Sequence, residues 1–259
     1  MRRLSALTAL ALLFAASIAA AEQGPAPPSR LQEQPTHRPE APSVDPAKSV
    51  ILIFNHGTLR PQRRHQCNEG KDVPAVLREI ADANGWTIHY LCSAATDEGV
   101  AGSYTYKRAD EILDAVTSYR ARGIPAQRIF LLGHSAGGWA SLMAARKDHS
   151  GFNAIVAFAP AFAGPRHEES QHPMWRGELA PRQMAYIREA QRIDALIFAY
   201  SDDDFDRPSE LAPLQSVPGL RVLAFDACQR GHATAYSDCF RQGAKVEIEN
   251  YIKSRLEVH

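Results

Sequence analysis

The 259-residue chain has no surplus of charge: Lys+Arg and Asp+Glu stand at 29 each. A balanced chain casts no long-range field that would gather nucleic acid or another polyanion, and no partner of that kind is expected. Closely spaced cysteine pairs are missing too. The four cysteines, Cys67, Cys92, Cys228 and Cys239, form no Cys-x-x-Cys unit. A zinc site would have to be improvised from Cys67, Cys92 and His65, so neither a metal nor another cofactor is expected. Internal repeats are absent, and there is a single long apolar run. At 45% hydrophobic and 22% charged residues, what remains is ordinary globular composition with enough apolar material for one sizeable core.

That apolar run lies at the N-terminus. Met1-Arg2-Arg3 is followed by the almost wholly apolar stretch 4–20, and Ala19-Ala20-Ala21 then precedes Glu22. A positive start, an apolar middle and small residues at the end are the layout of a secretory signal peptide, expected over residues 1–21. A retained membrane anchor is the alternative; with cleavage, no stable membrane insertion remains. Residues 22–48 are dense in Pro, Gln and Glu and poor in apolar residues. They read as an extended linker, because proline interrupts both helix and ladder and there is little to bury. The folded domain is expected over 49–259. Export to a periplasmic or extracellular space makes disulfides the default state of the cysteines. Four cysteines allow three pairings, and Cys67–Cys92 with Cys228–Cys239 is the one expected, each pair joining segments on one side of the proposed sheet.

Within 49–259, six short aliphatic runs stand out: 49–55, 86–91, 128–133, 153–159, 195–200 and 220–225. Their hydrophobicity is continuous rather than alternating, as in strands covered on both faces. Helical patterns lie between them, over 73–84 (stopped by Gly85), 106–123, 136–147, 182–193, 208–216 and 238–256. Strand and helix thus alternate throughout. The expected architecture is α/β, a three-layer sandwich with a mostly parallel central sheet. In such sheets ligands sit outside the carboxyl ends of the strands, so the residues just after each strand matter most.

Four of these exits carry reactive residue types. Asn55-His56-Gly57-Thr58 follows the first run, Gly133-His134-Ser135-Ala136-Gly137 the third, Ser201-Asp202-Asp203-Asp204 the fifth and Gly231-His232-Ala233-Thr234 the sixth. A serine hydroxyl attacks poorly unless a base takes its proton, and histidine titrates near neutrality. Serine is also a favoured helix N-cap, which is the competing reading of Ser135. The cap reading leaves the paired glycines and the later histidine unexplained.

Gly133-x-Ser135-x-Gly137 between a strand and a helix, with Asp and then His at later exits, resembles the nucleophile elbow and residue order of the α/β-hydrolases. The resemblance covers most of 49–256 and is closest to small, lidless esterases and dienelactone-hydrolase-like proteins. It implies Ser135 as nucleophile, His232 as base and Asp203 as the acid that orients it, with Asp204 and Asp202 as the alternative acids one residue out of register. Tyr200 stands where the family has glycine before the acid, which loosens that register. The resemblance also implies an oxyanion hole from the backbone N–H groups of Ala136 and Thr58, and it makes His56 and His134 structural. Asp206 is placed to cap the helix near Pro208.

Leu59, Tyr200 and Tyr236 are expected to face the nucleophile and bind substrate, and Phe162 and Trp175 either line the site or simply pack. Stretch 162–194 is too short for a separate lid domain. The implied activity is hydrolysis of a small-molecule carboxylic ester through an acyl-enzyme. A peptidase or an acyltransferase would use the same residues, and a non-catalytic binding protein could keep the scaffold.

Overall fold

The computed structural model describes residues 45–57, 67–93, 95 and 102–257. The proposed leader and nearly all of the proline-rich stretch lie outside these residues, as do Thr58, Leu59 and His65. The chain divides into units 1–42 and 43–259, and everything described below belongs to the second.

All six expected strands form. They are β1 (Ile51–Asn55), β2 (Thr87–Leu91), β3 (Ile129–His134), β4 (Ala154–Phe158), β5 (Ala195–Ala199) and β6 (Leu220–Ala224). Every pairing between them is parallel, in the order β2-β1-β3-β4-β5-β6. The central strands β1, β3, β4 and β5 are buried along their whole length, which is why their sequences run apolar without alternation. Edge strands β2 and β6 are mostly half-exposed.

Helices cover both faces. The short α1 (Glu69–Asp72), which no sequence pattern announced, precedes α2 (Ala75–Asn84), and Gly85 ends α2 with a left-handed φ of 65°. Next come α3 (Ser103–Ala121), α4 (Ala136–Lys147), α5 (Ala180–Arg188), α6 (Pro208–Leu211) and the long α7 (Asp238–Glu257). One apolar layer unites Ile53, Leu131, Ile155 and Ile197 of the sheet with Ile112 and Val116 of α3, Trp139 and Leu142 of α4 and Ile187 of α5. On the other face, Leu52, Phe54, Phe130, Phe158 and Phe198 meet Leu77 and Ile80 of α2 and Phe240, Ile248 and Ile252 of α7. The result is the expected three-layer sandwich. Among the described residues, no helix is long and apolar enough to cross a membrane.

The strand order positions the site. From β1 the chain moves outward to β2, then crosses back to β3 and continues the other way, so the order reverses between β1 and β3. Connections leave in opposite directions there, and the crevice this opens at the carboxyl ends is where such sheets hold ligands. His56-Gly57 and Ser135 flank that crevice.

Candidate active site

Ser135 stands between the last residue of β3 and the first residue of α4, with φ 53° and ψ −125°. Only one other described non-glycine residue, Ala159, has a positive φ. Such a conformation is costly for a residue with a side chain, and it persists here because the surroundings hold it. Ser135 N–H donates to Phe158 O at 3.0 Å, while Ser135 O accepts from Trp139 N–H at 3.0 Å and Ala161 N–H at 3.2 Å. The flanking glycines are sterically required. A Cβ on Gly133 would lie 2.5 Å from the Gly137 carbonyl carbon, and one on Gly137 would lie 2.1 Å from Asn55 O. The serine side chain caps nothing, which removes the competing explanation of why a serine stands there.

At the end of β5, one aspartate of three turns inward. Asp203 is fully buried, and its two carboxylate oxygens lie 3.1 and 2.9 Å from His232 Nδ1. Asp203 Oδ1 also accepts the Phe205 N–H at 2.7 Å. Its backbone carbonyl accepts from Arg166 Nη2 at 3.1 Å and Arg207 Nε at 3.3 Å. The neighbours do other work: Asp202 accepts the Gly231 N–H at 2.7 Å, latching the histidine loop, and Asp204 pairs with His167. Among the three, Asp203 is the one whose carboxylate meets the histidine.

His232 lies in a 3-10 turn, Gly231–Tyr236, with the Phe205 ring stacked on it at 4.0 Å between centroids. Its Nε2 is buried and has no hydrogen-bond partner among the described residues, so no bond joins it to Ser135 in this state. With Nδ1–H held on a carboxylate, Nε2 is left as the free acceptor. His134, one residue before Ser135, donates its Nε2–H to the His232 carbonyl at 2.8 Å. Burial, with His232 close by, pushes the pKa of His134 down to about 3, so it stays neutral and adds no charge beside the other imidazole.

The turn after β1 packs against the serine. A Cβ on Gly57 would lie 3.4 Å from Ser135 Cβ. His56 uses both ring nitrogens: Nδ1 bonds Gly57 O, and Nε2 accepts the Ser93 N–H at 3.0 Å. Asn55 Nδ2 donates to Leu132 O at 3.2 Å and to Ser141 Oγ at 3.1 Å, binding the end of β1 to β3 and α4. Ala136 is the first residue of α4, and the first N–H groups of a helix have no intrahelical acceptor. The second expected oxyanion donor, Thr58, lies outside the described residues.

Not every sequence expectation lands at the site. Tyr200 is a correction: it is fully buried, packs edge-on against Phe240 at 6.0 Å and belongs to the core, so it offers no surface to a ligand. Tyr236 is half-exposed and meets the His134 ring edge-on at 4.9 Å, beside the histidine loop. Leu59 lies outside the described residues. Phe162 is buried between Tyr104, Trp139 and a stacked Trp175, so packing accounts for it. Asp206 does not cap α6, whose N-cap is Arg207; its half-buried carboxylate lies 3.4 Å from Arg176 Nη1.

Both disulfides take the expected pairing. Cys67–Cys92 and Cys228–Cys239 have Cα separations of 5.7 and 5.8 Å. His56, rather than His65, shares a neighbourhood with Cys67 and Cys92, but both sulfurs are committed to each other. Sequence reasoning missed Phe205, Arg166 and Arg108, which touch His232, Asp203 and His56 across long stretches of chain, and Arg207, which reaches the Asp203 carbonyl from four residues on; none carries a motif.

No protein-family model matches the chain, and no curated protein matches it. Solved structures do. DcsB in complex with a substrate analogue is 14% identical at a TM-score of 0.58, with 82% of this chain and 92% of that one covered. A soluble variant of the Saccharomyces cerevisiae monoglyceride lipase is 13% identical at 0.58, over 80% and 87%. Thermogutta terrifontis esterase 2, phosphoramylated by tabun, is 16% identical at 0.53, over 84% and 86%. Likeness at this identity is likeness of backbone, and together with the parallel six-stranded sheet it establishes that the chain has the α/β-hydrolase fold.

Proposed function

We propose that the protein is an exported serine hydrolase that cleaves small-molecule carboxylic esters through an acyl-enzyme. The observation that carries this reading is the inward pairing of fully buried Asp203 with His232 Nδ1 at 2.9 Å, which leaves Nε2 as an acceptor at the same carboxyl edge as a backbone-strained serine. The esterase and the lipase that share this scaffold support an ester as the substrate.

The chemistry follows from the atoms. His232 Nε2 takes the proton of Ser135 Oγ as that oxygen bonds the ester carbonyl carbon. The carbonyl π pair moves onto oxygen, and the N–H of Ala136 with that of Thr58 receives the oxyanion; preorganised donors there are worth several kcal/mol. Asp203 holds the imidazole in the tautomer that accepts at Nε2 and stabilises the imidazolium that forms. Collapse re-forms the carbonyl, breaks the bond to the alkoxy oxygen and sends the His232 proton to the departing alcohol. Water then repeats the sequence on the acyl-serine, releasing the acid. Tyr236 at the rim is a contact for the substrate, and Leu59 is assigned the same role. No metal or organic cofactor enters any step.

A fluorophosphonate probe tests the assignment. It should label the purified protein, and Ser135→Ala should abolish labelling together with hydrolysis of p-nitrophenyl esters. Labelling that survives the substitution rules Ser135 out as nucleophile. A panel of esters of graded acyl length, run on the parent, would then define the acyl preference.

A further inference from the structure

We propose that Arg108 is a positioning residue for catalysis, holding the peptide between His56 and Gly57 against the junction that carries Ser135. This inference rests on the serine-hydrolase reading above. Arg108 lies on α3, far from every strand exit in sequence, and is only 2% exposed. Its Nη2 donates to the backbone carbonyl of His56, 52 positions away.

That carbonyl sits at the centre of the site. A Cβ on Gly137, two residues beyond the serine, would lie 2.6 Å from His56 O. The next residue, Gly57, packs against Ser135 itself. The guanidinium therefore grips the turn where it presses on the nucleophile's helix. In a planar trans peptide C=O and N–H point in opposite directions, so drawing His56 O toward α3 also sets the direction of the Gly57 N–H. The following carbonyl, Gly57 O, is held by the His56 ring, which is in turn fixed by the Ser93 N–H. Two successive peptide planes of the turn are thus tied from outside the site.

A neutral donor could have oriented the same carbonyl. Burying a guanidinium instead costs several kcal/mol in desolvation unless its bonds and neighbouring charges offset it. A cation on the carbonyl adds something a neutral donor does not. A charge-assisted bond is stronger than a neutral one, so it fixes the carbonyl more firmly against the Ser135 junction. Placement of Ser135 matters most as its oxygen closes on the carbonyl carbon, a geometry reached in the transition state and not in the bound ester. The effect should therefore fall on kcat and leave KM nearly alone.

The test uses the full chain, Arg108→Met and Arg108→Lys, with Ser135→Ala in parallel and thermal melts to select folded variants. With a p-nitrophenyl ester, Arg108→Met should lower kcat by about 10- to 100-fold with KM changed less than about twofold, and the fluorophosphonate labelling rate should fall in step. Arg108→Lys, which keeps the charge without the fork, should recover part of the loss in both rates. If Arg108→Met does not fold, the split between kcat and KM in Arg108→Lys decides alone. Folded variants with kcat within about twofold of the parent, or with the loss confined to KM, overturn the inference. Ser135→Ala separates the two readings: persistent turnover there removes Ser135 as nucleophile and with it the serine mechanism on which the role of Arg108 rests. An inactive Ser135→Ala beside fully active Arg108 variants removes only the role of Arg108.

Discussion

Three adjacent aspartates follow β5 and each has a different partner, so the proposed acid is the one whose side chain turns toward His232. Asp203 faces inward to His232, Asp202 latches Gly231 and Asp204 pairs with His167. Asp203→Asn should cut kcat by about 10⁴-fold in the ester assay, because an amide facing Nδ1 stabilises the wrong tautomer and no imidazolium. Asp204→Asn should leave turnover near that of the parent. A collapse in Asp204→Asn with near-normal rates in Asp203→Asn would move the acid by one residue. His134 belongs to this scale as well: a buried imidazole held neutral can donate to the His232 carbonyl without setting a charge beside the His232 ring.

At the scale of elements, the site is a strand-to-helix junction closed by backbone contact. Helix α4 approaches the end of β1 so closely that Gly137 touches the carbonyls of Asn55 and His56, and no side chain fits between them. Gly137→Ala should destabilise the protein by about 1–3 kcal/mol in urea melts and lower fluorophosphonate labelling, since α4 must shift to make room. Gly177→Ala is the control, because a Cβ there meets nothing within 4 Å and its melt should match the parent. Equal melts for the two variants would show that the junction yields more easily than its geometry implies. The elements themselves were legible in sequence wherever periodicity was unbroken: all six strands and the helices α2, α4 and α7 lie where their apolar patterns put them. Helix α3 starts earlier than its pattern, at Ser103, and α5 ends earlier, at Arg188. At those ends the boundary depends on packing that local pattern does not record.

For the molecule as a whole, the segment between β4 and α5 is fastened to the acid turn by ion pairs. Arg166 bonds Glu210 and the Asp203 carbonyl, and Arg176 pairs with Asp206 while donating to Gly164 O at 3.0 Å. Burial raises the Asp206 pKa to about 6 from an ordinary 3.8, against the opposing pull of Arg176. Folded protein then binds a proton that the unfolded chain releases, so the Asp206 contribution to stability grows as pH falls through 6 and levels off below the unfolded value. Asp206→Asn removes that linkage. Its melting temperature near pH 5, relative to about pH 8, should therefore fall below the parent's difference. Identical differences in the two proteins would mean that Asp206 titrates at its ordinary value.

The sequence alone determined the alternation of strand and helix, the parallel sheet and the exits at which Ser135, His56-Gly57 and His232 stand. Those properties follow from periodicities and turn residues within a few positions of one another. Tertiary structure decided the rest: which of three aspartates meets His232, Tyr200 in the core rather than at the site, Asp206 half-buried against an arginine, and Arg108 on the turn beside Ser135. The bonds concerned span 29 residues from Asp203 to His232, 52 from His56 to Arg108 and 98 from His134 to His232. No local pattern encodes such contacts, because they depend on where the packing of both sheet faces brings distant backbone together.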